Sequence, residues 1–361
     1  MRILFTADPE IPVPPQHYGG VQRLVDSIAR GMKEKGHRVG LVAHRGSTTP
    51  VDAFYPWPGR DSQSRWDTLR NTWTLTQAVR AFQPDLIHSF SRLWYLMPMM
   101  ARPLAKIMTY GRDPSTRTVQ WSAQLAGQSL MFTGCSQHIS RTGSAAGGTW
   151  RTVYNFVELE TFTFQPQVAP DAPLVFLSRI ERIKGAHTAI AAALRTGRRL
   201  IIAGNRVESE SGQAYWREEI APYLGKNGIE YVGPVNDAQK NLLLGTAAAM
   251  IVPIEWEEPF GIVFTEALAC GTPVISTPRG AVPEIVRQGV DGFIAADLEA
   301  LCDAIGNLPR LNRADCRQRV ESCFTAQTIN DQYEQLYHAQ IAVTAAHSAP
   351  PTPHDLTASD L

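Results

Sequence analysis

Short apolar runs alternate with segments of helical periodicity along almost the whole chain. In the first half, the runs that are short enough for buried strands lie at residues 2–7, 38–43, 84–88, 106–110, 130–135 and 150–154. In the second half they lie at residues 174–177, 198–203, 229–232, 247–253 and 272–276. Strands that alternate with helices build parallel sheets that are covered by helices. The pattern therefore predicts an α/β protein in which each half forms one doubly wound domain.

Proline-rich segments divide this pattern. Residues 165–173 contain three prolines and separate the two halves, so we expect one domain over residues 1–165 and a second over residues 174–325. Residues 326–346 continue a helical pattern beyond the second domain. Residues 347–361 carry prolines without any periodicity, which predicts a disordered tail.

Composition and charge narrow the class of protein. The 361 residues are 44% hydrophobic and 19% charged, which is typical of globular domains with buried cores. Lysine plus arginine equals aspartate plus glutamate, at 34 each, so no net charge favours a nucleic-acid partner. The five cysteines lack a Cys-x-x-Cys spacing, which indicates reduced thiols rather than a zinc site. The chain begins with a strand-like run and no hydrophobic signal segment, so we expect a cytoplasmic protein.

A loop rich in glutamate precedes a helical segment in the second half. Glu258 lies in this loop, Gly261 follows it, and Glu266 comes in the second turn of the helix. The first amides of the helix, at Gly261, Ile262 and Val263, lack partners inside the helix, so together with the helix dipole they suit a phosphate group. Two carboxylates could then face one ligand. Acid spacing alone favours a simpler alternative, in which Glu258 is a cap and Glu266 is solvated.

Two cations and a glycine pair mark other loops that follow strands. Arg179 and Lys184 lie five residues apart after the run 174–177, where the alternative is an ordinary basic surface loop. At an effective dielectric near 20, a cation about 4 Å from a phosphate charge gains about 4 kcal/mol of Coulomb energy before desolvation. Gly19 and Gly20 precede the first helix, and backbone without side chains suits the close approach of a diphosphate. The glycine pair alone is a weak signal.

The segment 258–275 reads E-P-F-G-I-V-F-T-E-A-L-A-C-G-T-P-V-I and closely resembles the signature of the family 4 glycosyltransferases. Gly-Ala-Val-Pro-Glu at 280–284 is similar to the Gly-x-x-Glu that follows in that family, and Arg179 with Lys184 matches its Arg-x4-Lys motif. The resemblance covers about residues 1–340. It implies a GT-B fold, with two Rossmann-like domains that face across a cleft and a last helix that crosses back to the first domain. It also implies retaining transfer of a hexose-type sugar from a UDP- or GDP-linked donor to a hydroxyl acceptor.

The resemblance implies roles for individual residues. Arg179 and Lys184 would grip the donor diphosphate, and Glu258 would contact the sugar and stabilise its developing positive charge. These three are the predicted catalytic residues. The predicted donor-binding residues are Gly19, Gly20, Gly204, Val232, Gly261, Ile262, Val263 and Glu266. No Asp-x-Asp stands where it could hold a metal over the diphosphate, so we expect the cations to replace a metal, and we expect no cofactor.

The first half departs from the family where a histidine commonly faces the donor sugar. This chain has Tyr110-Gly111 there, so we expect either that Tyr110 or His88 contacts the sugar or the acceptor instead, or that the donor differs. For His88, the alternative is a structural histidine with satisfied hydrogen bonds. Two other functions stay open, a nucleotide-sugar epimerase or hydrolase of the same fold and a non-catalytic nucleotide-sugar-binding subunit, and the departure at Tyr110 keeps the second of them open. A nicotinamide-dependent oxidoreductase is excluded, because no Gly-x-Gly-x-x-Gly turn follows a strand.

Three segments of the first half are expected to line the site of a sugar, lipid-linked or small-molecule acceptor, and the first of them is the proline-rich loop at residues 8–18. Residues 52–65 are rich in proline and glycine, which predicts a loop. Residues 93–100 read L-W-Y-L-M-P-M-M, which favours a core or pocket-lining helix. The alternative for this run is a peripheral membrane contact. No run approaches the roughly 20 apolar residues that span a bilayer.

Overall fold

The computed structural model describes residues 1–15 and 19–348, which form two compact units. The units consist of residues 1–135, 139–153 and 330 onward, and of residues 136–138 and 154–329. The changeover after Val153 precedes the domain end at 165 that the prolines suggested. Each unit is built around one parallel sheet.

Over its described residues, the first unit contains seven strands with helices between them. The strands are β1 (Arg2–Thr6), β2 (Arg38–Ala43), β3 (Ala53–Pro56), β4 (Leu86–Ser89), β5 (Ala105–Tyr110), β6 (Leu130–Gly134) and β7 (Thr149–Thr152). The helices are α1 (Gly20–Glu34), α2 (Arg65–Phe82), α3 (Thr116–Ala126) and α4 (Gln137–Ser144). The strand order is β3-β2-β1-β4-β5-β6-β7, so the winding reverses between β1 and β4. Ligands of doubly wound sheets bind outside the carboxyl ends of the strands at such a point.

Strand β3 corrects the loop that was expected over residues 52–65. It pairs in parallel with β2 at the edge of the sheet, and its side chains alternate between half-buried and exposed. Trp57 follows the strand and is buried, with Nε1 donating to the carbonyl of Ala7 at 2.7 Å. A short edge strand that ends in proline has no continuous apolar run, so the hydrophobic pattern did not show it.

The apolar run at 93–100 forms a 3₁₀ helix over Leu93–Met99. Most of its side chains, including Tyr95 and Leu96, are buried in a core cluster that also contains residues of α2, α3 and the sheet. Trp94 is the large side chain of this helix that stays exposed, at 52%. The run is therefore a core helix, and a membrane contact through the whole run is not compatible with its burial.

The second unit contains six strands and seven α-helices. The strands are β8 (Leu174–Leu177), β9 (Leu200–Ala203), β10 (Ile229–Gly233), β11 (Ala249–Val252), β12 (Val274–Ser276) and β13 (Gly292–Ile294). The helices are α5 (Ala186–Thr196), α6 (Glu210–Tyr215), α7 (Asp237–Gly245), α8 (Ile262–Ala269), α9 (Val282–Ile285), α10 (Leu298–Asn307) and α11 (Arg313–Cys323). Further short helical turns lie at Gly127–Ser129 of the first unit and at Arg182–Lys184, Trp216–Ile220, Ala221–Tyr223 and Leu308–Arg310 of the second. The strand order is β10-β9-β8-β11-β12-β13, and the winding reverses between β8 and β11.

The last described helix, α12 (Ala326–Ser348), starts in the second unit and belongs to the first unit from Asn330 onward. It packs there through Tyr333 and Tyr337, which are both buried. This confirms the expected helix that crosses back to the first domain. Of the tail predicted over residues 347–361, the first two residues end α12 instead, and the remainder lies outside the described residues.

Candidate functional site

Charged residues of the second unit meet where the winding of its sheet reverses. β8 and β11 are neighbours there, with Leu174 opposite Ala249 and Val175 opposite Met250. The loop after β8 carries the predicted cations, and the loop after β11 carries the predicted carboxylate. The crevice outside the carboxyl ends of these two strands is therefore the first place to look for a ligand site.

Lys184 and Glu258 form an ion pair across this point. Lys184 Nζ lies 2.5 Å from Glu258 Oε2, and the two side chains are only 10% and 13% exposed. Trp256 Nε1 donates to the same oxygen at 3.0 Å, and its ring centroid lies 4.5 Å from Lys184 Nζ. The backbone also joins the two loops, because Glu255 N–H donates to the carbonyl of Ile183 at 2.8 Å. The predicted carboxylate and one predicted cation are thus held together before any ligand arrives.

Arg179 lies in the same loop as Lys184 but in a more open position. Its side chain is 52% exposed and its guanidinium lies 3.1 Å from the carboxylate of Glu181. A pair this exposed adds little to stability, so the guanidinium can exchange Glu181 for an anion at small cost. An arginine can bind such an anion through two parallel hydrogen bonds, whereas a lysine acts as a point charge.

The amino end of α8 lies in the loop that carries Glu258. Gly261 precedes α8 with φ of 80°, and an added Cβ would lie 2.5 Å from the ring of Phe264, so only glycine fits here. The first amides of α8 belong to Ile262 and Val263, and amides at these positions of a helix have no acceptor within it. Such amides, together with the helix dipole, suit an anion, so the phosphate contact expected from the sequence stays a prediction.

Glu266 is paired with a lysine that the sequence analysis missed. Lys240 Nζ of α7 lies 2.5 Å from Glu266 Oε1 and 3.3 Å from Asp237. It also lies 5.3 Å from the ring centroid of Phe162. Lys240 thereby fixes the carboxylate of Glu266 on α8. No local motif marks Lys240, because the contact depends on how α7 packs beside α8.

Gly204 and Val232 lie at the carboxyl ends of the neighbouring strands β9 and β10 of the same sheet. Gly204 N–H donates to the carbonyl of Gly233 at 2.9 Å, and Tyr231 Oη donates to the carbonyl of Gly204 at 2.9 Å. An added Cβ at Gly204 would lie 1.8 Å from the carbonyl oxygen of Ser178, so the two loops approach through backbone alone. Val232 is 50% exposed beside them. Both predicted residues therefore lie on the edge that carries Lys184.

The Gly-Ala-Val-Pro-Glu segment at 280–284 follows β12 and donates backbone hydrogen bonds to the loop that carries Glu258. Gly280 N–H donates to Glu257 Oε2 at 2.6 Å, and Ala281 N–H donates to the carbonyl of Glu258 at 2.8 Å. The bond from Gly280 and the charge of Arg279 hold the pKa of Glu257 below its ordinary value. The segment after β12 therefore sets the position of Glu258 through its backbone.

The remaining predicted residues, Gly19, Gly20, His88 and Tyr110, lie in the first unit. Gly19 precedes α1 and Gly20 is its first residue. His88 is fully buried, its Nδ1 lies 2.6 Å from Tyr337 Oη, and its Nε2 lies 2.7 Å from Thr109 Oγ1. Burial lowers the pKa of His88 well below its ordinary value. These contacts favour the alternative that the sequence left open, a structural histidine.

Tyr110 ends β5 in a half-buried position. Its ring centroid lies 5.6 Å from that of Trp150 and 6.1 Å from that of Phe132. Burial raises the pKa of Tyr110, and a hydrogen bond with Thr118 partly opposes this shift. The phenol is therefore a neutral group at the carboxyl edge of the sheet.

Asp8 is a residue of the first unit that the sequence analysis did not single out. It follows β1, and its carboxylate accepts a hydrogen bond from the backbone N–H of Arg92, which follows β4. Its Oδ1 is buried without a hydrogen-bond partner. Burial, followed by the charge of Glu10, raises the pKa of Asp8 from 3.8 to about 6, although Arg112 lowers it. Asp8 thus lies where the winding of the first sheet reverses, and it titrates in an unusual range.

Two family models match adjoining parts of the chain. The model described as Glycosyltransferase Family 4 matches residues 18–160, and the model described as Glycosyl transferases group 1 matches residues 161–319. The chain belongs to the family 4 glycosyltransferases.

Within the residues that the structure describes, no group of three or more His, Cys, Asp or Glu residues is arranged to hold a metal ion.

Curated relatives match a part of the chain. Glycogen synthase of Mycobacterium tuberculosis (strain ATCC 25618 / H37Rv) is 32% identical over 190 residues, which cover 48% of this chain and 44% of that protein. D-inositol 3-phosphate glycosyltransferase of Mycobacterium bovis (strain BCG / Pasteur 1173P2) is 32% identical over 142 residues, which cover 38% of this chain and 29% of that protein. The matches therefore span less than half of the length of these relatives.

Solved structures match nearly the whole chain. Sucrose-phosphate synthase from Thermosynechococcus elongatus has a TM-score of 0.73 at 19% identity and covers 94% of this chain and 99% of its own. AviGT4, a glycosyltransferase involved in avilamycin A biosynthesis, has a TM-score of 0.69 at 24% identity, with 94% and 98% covered. Anabaena HepE in complex with UDP-glucose has a TM-score of 0.69 at 19% identity, with 94% and 100% covered. At these identities the likeness shows the fold, and it confirms the predicted GT-B class.

Proposed function

We propose that this chain is a retaining glycosyltransferase that moves a hexose-type sugar from a UDP- or GDP-linked donor to a hydroxyl acceptor. The observation that carries the proposal is the Lys184–Glu258 pair at the reversal point of the second sheet. It brings a cation and a carboxylate to the amino end of α8, and transfer from a nucleotide sugar needs both. The UDP and UDP-glucose complexes of Anabaena HepE support a nucleotide-sugar donor for this fold.

Breaking the bond between the sugar and the diphosphate creates charge in two places. The diphosphate becomes more negative, and Arg179, Lys184 and the first amides of α8 supply donors for that charge. Lys184 uses one of its three N–H donors on Glu258, so two N–H donors are left for phosphate oxygens. Gly19 and Gly20 remain predicted contacts of the diphosphate. We propose that these groups neutralise the charge of the diphosphate in place of a metal ion, so transfer should persist in the presence of a chelator.

The sugar becomes positively charged as the diphosphate departs, and Glu258 is the proposed carboxylate beside it. Trp256 and Lys184 hold the same oxygen of Glu258, so the position of the carboxylate is fixed without the substrate. A group that is fixed in advance stabilises charge without a reorganisation cost. Glu266, fixed by Lys240, is the proposed partner of the ribose hydroxyls, and Gly204 and Val232 are proposed to contact the nucleotide.

The test begins with thermal stabilisation by a panel of UDP- and GDP-sugars. A donor at a concentration of about 100 times its Kd should stabilise the protein by about 2.7 kcal/mol. The stabilising donor is then incubated with and without sugar, lipid-linked and small-molecule acceptors, and the anomeric configuration of the product is read by NMR. Retained configuration in an acceptor-dependent product supports the proposal. Acceptor-independent hydrolysis or epimerisation would establish the alternative enzyme, and donor binding without any turnover would establish a binding subunit.

A further inference from the structure

Exposed tryptophans concentrate in one region of the first unit. Of the eight tryptophans, which all lie within the described residues, four are among the exposed large side chains. Trp66 and Trp73 of α2 are 77% and 63% exposed, Trp94 of the 3₁₀ helix Leu93–Met99 is 52% exposed, and Trp121 of α3 is 38% exposed. Single exposed apolar residues are ordinary, but several tryptophans in one region mark a binding surface.

Helix α2 has two different apolar faces. Its inner face packs in the core of the unit through residues such as Leu75 and Phe82. On its outer face, Trp66, Leu69 and Trp73 recur at a spacing of three and four residues, and they are all more than 60% exposed. Residues at this spacing lie on one stripe of a helix. The core of the unit uses only the inner face, so the fold does not account for the outer stripe.

The three helices that carry these tryptophans form one continuous layer. Their inner sides share one core cluster, and Asn71 of α2 donates to Tyr95 Oη of the 3₁₀ helix at 3.3 Å. Trp94 and Trp121 stack with ring centroids 6.0 Å apart, which joins the 3₁₀ helix to α3. We call the outer side of this layer the tryptophan face. It consists of Trp66, Leu69, Trp73, Trp94, Trp121 and Leu125.

The tryptophan face is bordered by positive charge. The exposed cations within the three helices are Arg65, Arg70, Arg80 and Arg117, and the acid within them is Asp67, whose Oδ2 accepts from the backbone N–H groups of Arg60 and Asp61. The flanking segments carry the exposed cations Arg60, Arg102 and Arg112 and the exposed acids Asp61, Asp85 and Asp113, which balance in number. The whole chain has no net charge, so this excess of arginine is a local property. Tryptophan with arginine is the combination that favours the boundary between lipid headgroups and acyl chains.

We propose that the tryptophan face binds the surface of a lipid bilayer that contains anionic lipids. A second copy of the chain is a poorer occupant, because a two-fold interface would place the arginines of both copies against each other. The contact would be peripheral, with the rings at headgroup depth. In the described part of the chain, no helix combines the length and apolar character that crossing a bilayer requires. The binding needs neither donor nor acceptor, so it is independent of the proposed transfer reaction.

The test uses co-sedimentation of the full chain with vesicles of pure phosphatidylcholine or of phosphatidylcholine and phosphatidylglycerol in equal parts. The wild-type chain should bind the anionic vesicles, with a blue shift of tryptophan emission, and should bind the neutral vesicles weakly. The double variant Trp66→Ser/Trp73→Ser should bind the anionic vesicles roughly tenfold more weakly, because it loses most of the stripe on α2. Arg70→Glu and Arg80→Glu should each weaken binding by about fivefold or more.

Matched controls separate the face from general stickiness and from misfolding. Leu242→Ser removes a side chain that is 68% exposed on α7 of the second unit, and it should leave vesicle binding unchanged. All these positions are exposed, so each variant should keep the melting temperature of the wild type. Failure of the wild type to bind anionic vesicles would overturn the proposal, and so would equal binding by the double tryptophan variant. A wild-type dimer that the double tryptophan variant converts to a monomer would also overturn it, in favour of a second copy.

Discussion

Removing the charge of Lys184 tests whether its pair with Glu258 serves a ligand or only the fold. The ammonium and the carboxylate lie 2.5 Å apart, with side chains that are 10% and 13% exposed. Loss of one partner of a buried pair leaves the other charge uncompensated and costs about 3 to 5 kcal/mol. Trp256 still donates to Glu258 in the variant, which limits the loss. We therefore expect Lys184→Met to lower the free energy of unfolding of the second unit by about 3 kcal/mol.

The double variant Lys184→Met/Glu258→Gln separates the two roles. It removes both charges, and the amide oxygen of glutamine can still accept the bond from Trp256. Its free energy of unfolding should return to within about 1 kcal/mol of the wild type. Its rate of transfer should stay at least about a hundredfold below the wild type, because a loss of about 2.7 kcal/mol of transition-state stabilisation persists.

Urea unfolding followed by tryptophan fluorescence measures the stability, and release of nucleoside diphosphate from the stabilising donor measures the rate. Lys226→Met is the matched control, because Lys226 is an exposed lysine of the same unit whose Nζ donates to the carbonyl of Pro222. It should change neither quantity. Recovery of wild-type transfer together with stability in the double variant would refute the catalytic assignment and leave the pair a purely structural role.

Three other substitutions test further parts of the account. Gly261→Ala should lower the free energy of unfolding by about 1–2 kcal/mol and weaken nucleoside-diphosphate binding measured by calorimetry, because φ is 80° and a Cβ would lie 2.5 Å from the ring of Phe264. The control Gly225→Ala, where φ is 72° and a Cβ would meet open space, should lower the free energy of unfolding without weakening that binding. Asp8→Asn should raise the free energy of unfolding at pH 7 by up to about 3 kcal/mol. The pKa of Asp8 is raised from 3.8 to about 6, so the wild type loses stability as the pH rises from 3.8 to about 6. Urea unfolding below pH 3.8 should therefore show no gain in stability for the variant. Lys240→Met should raise the KM for the donor about fivefold with little change in kcat, because the carboxylate of Glu266 loses the ion pair that fixes its position. A fivefold fall in kcat would contradict a contact between Glu266 and the ribose.

The hydrophobic pattern was sufficient for the architecture because parallel strands that are buried on both faces read as continuous apolar runs. Strand β8 has the predicted limits, Leu174–Leu177. The loop with Glu258 and the loop with Arg179 and Lys184 could also be recognised, because the residues of each motif lie close together in the sequence. Strand β3 was missed for the opposite reason, since an edge strand with alternating exposure produces no such run.

Side chains whose role depends on packing could not be predicted. Lys240 reaches Glu266 only because α7 lies beside α8, and Asp8 meets the backbone of Arg92 only because β1 and β4 are neighbours. His88 reads as a ligand from its place at the end of a strand, and only the packing of α12 reveals the tyrosine that occupies its Nδ1. Sequence order does not specify these tertiary contacts.

A crystal structure of the chain with a bound UDP- or GDP-sugar would show directly where the diphosphate binds. We predict that it lies outside the carboxyl ends of β8 and β11, within hydrogen-bond distance of Arg179, Lys184 and the first amides of α8, and that the ribose lies against Glu266. A nucleotide bound at any other place on the second unit, with the Lys184–Glu258 pair untouched, would contradict it.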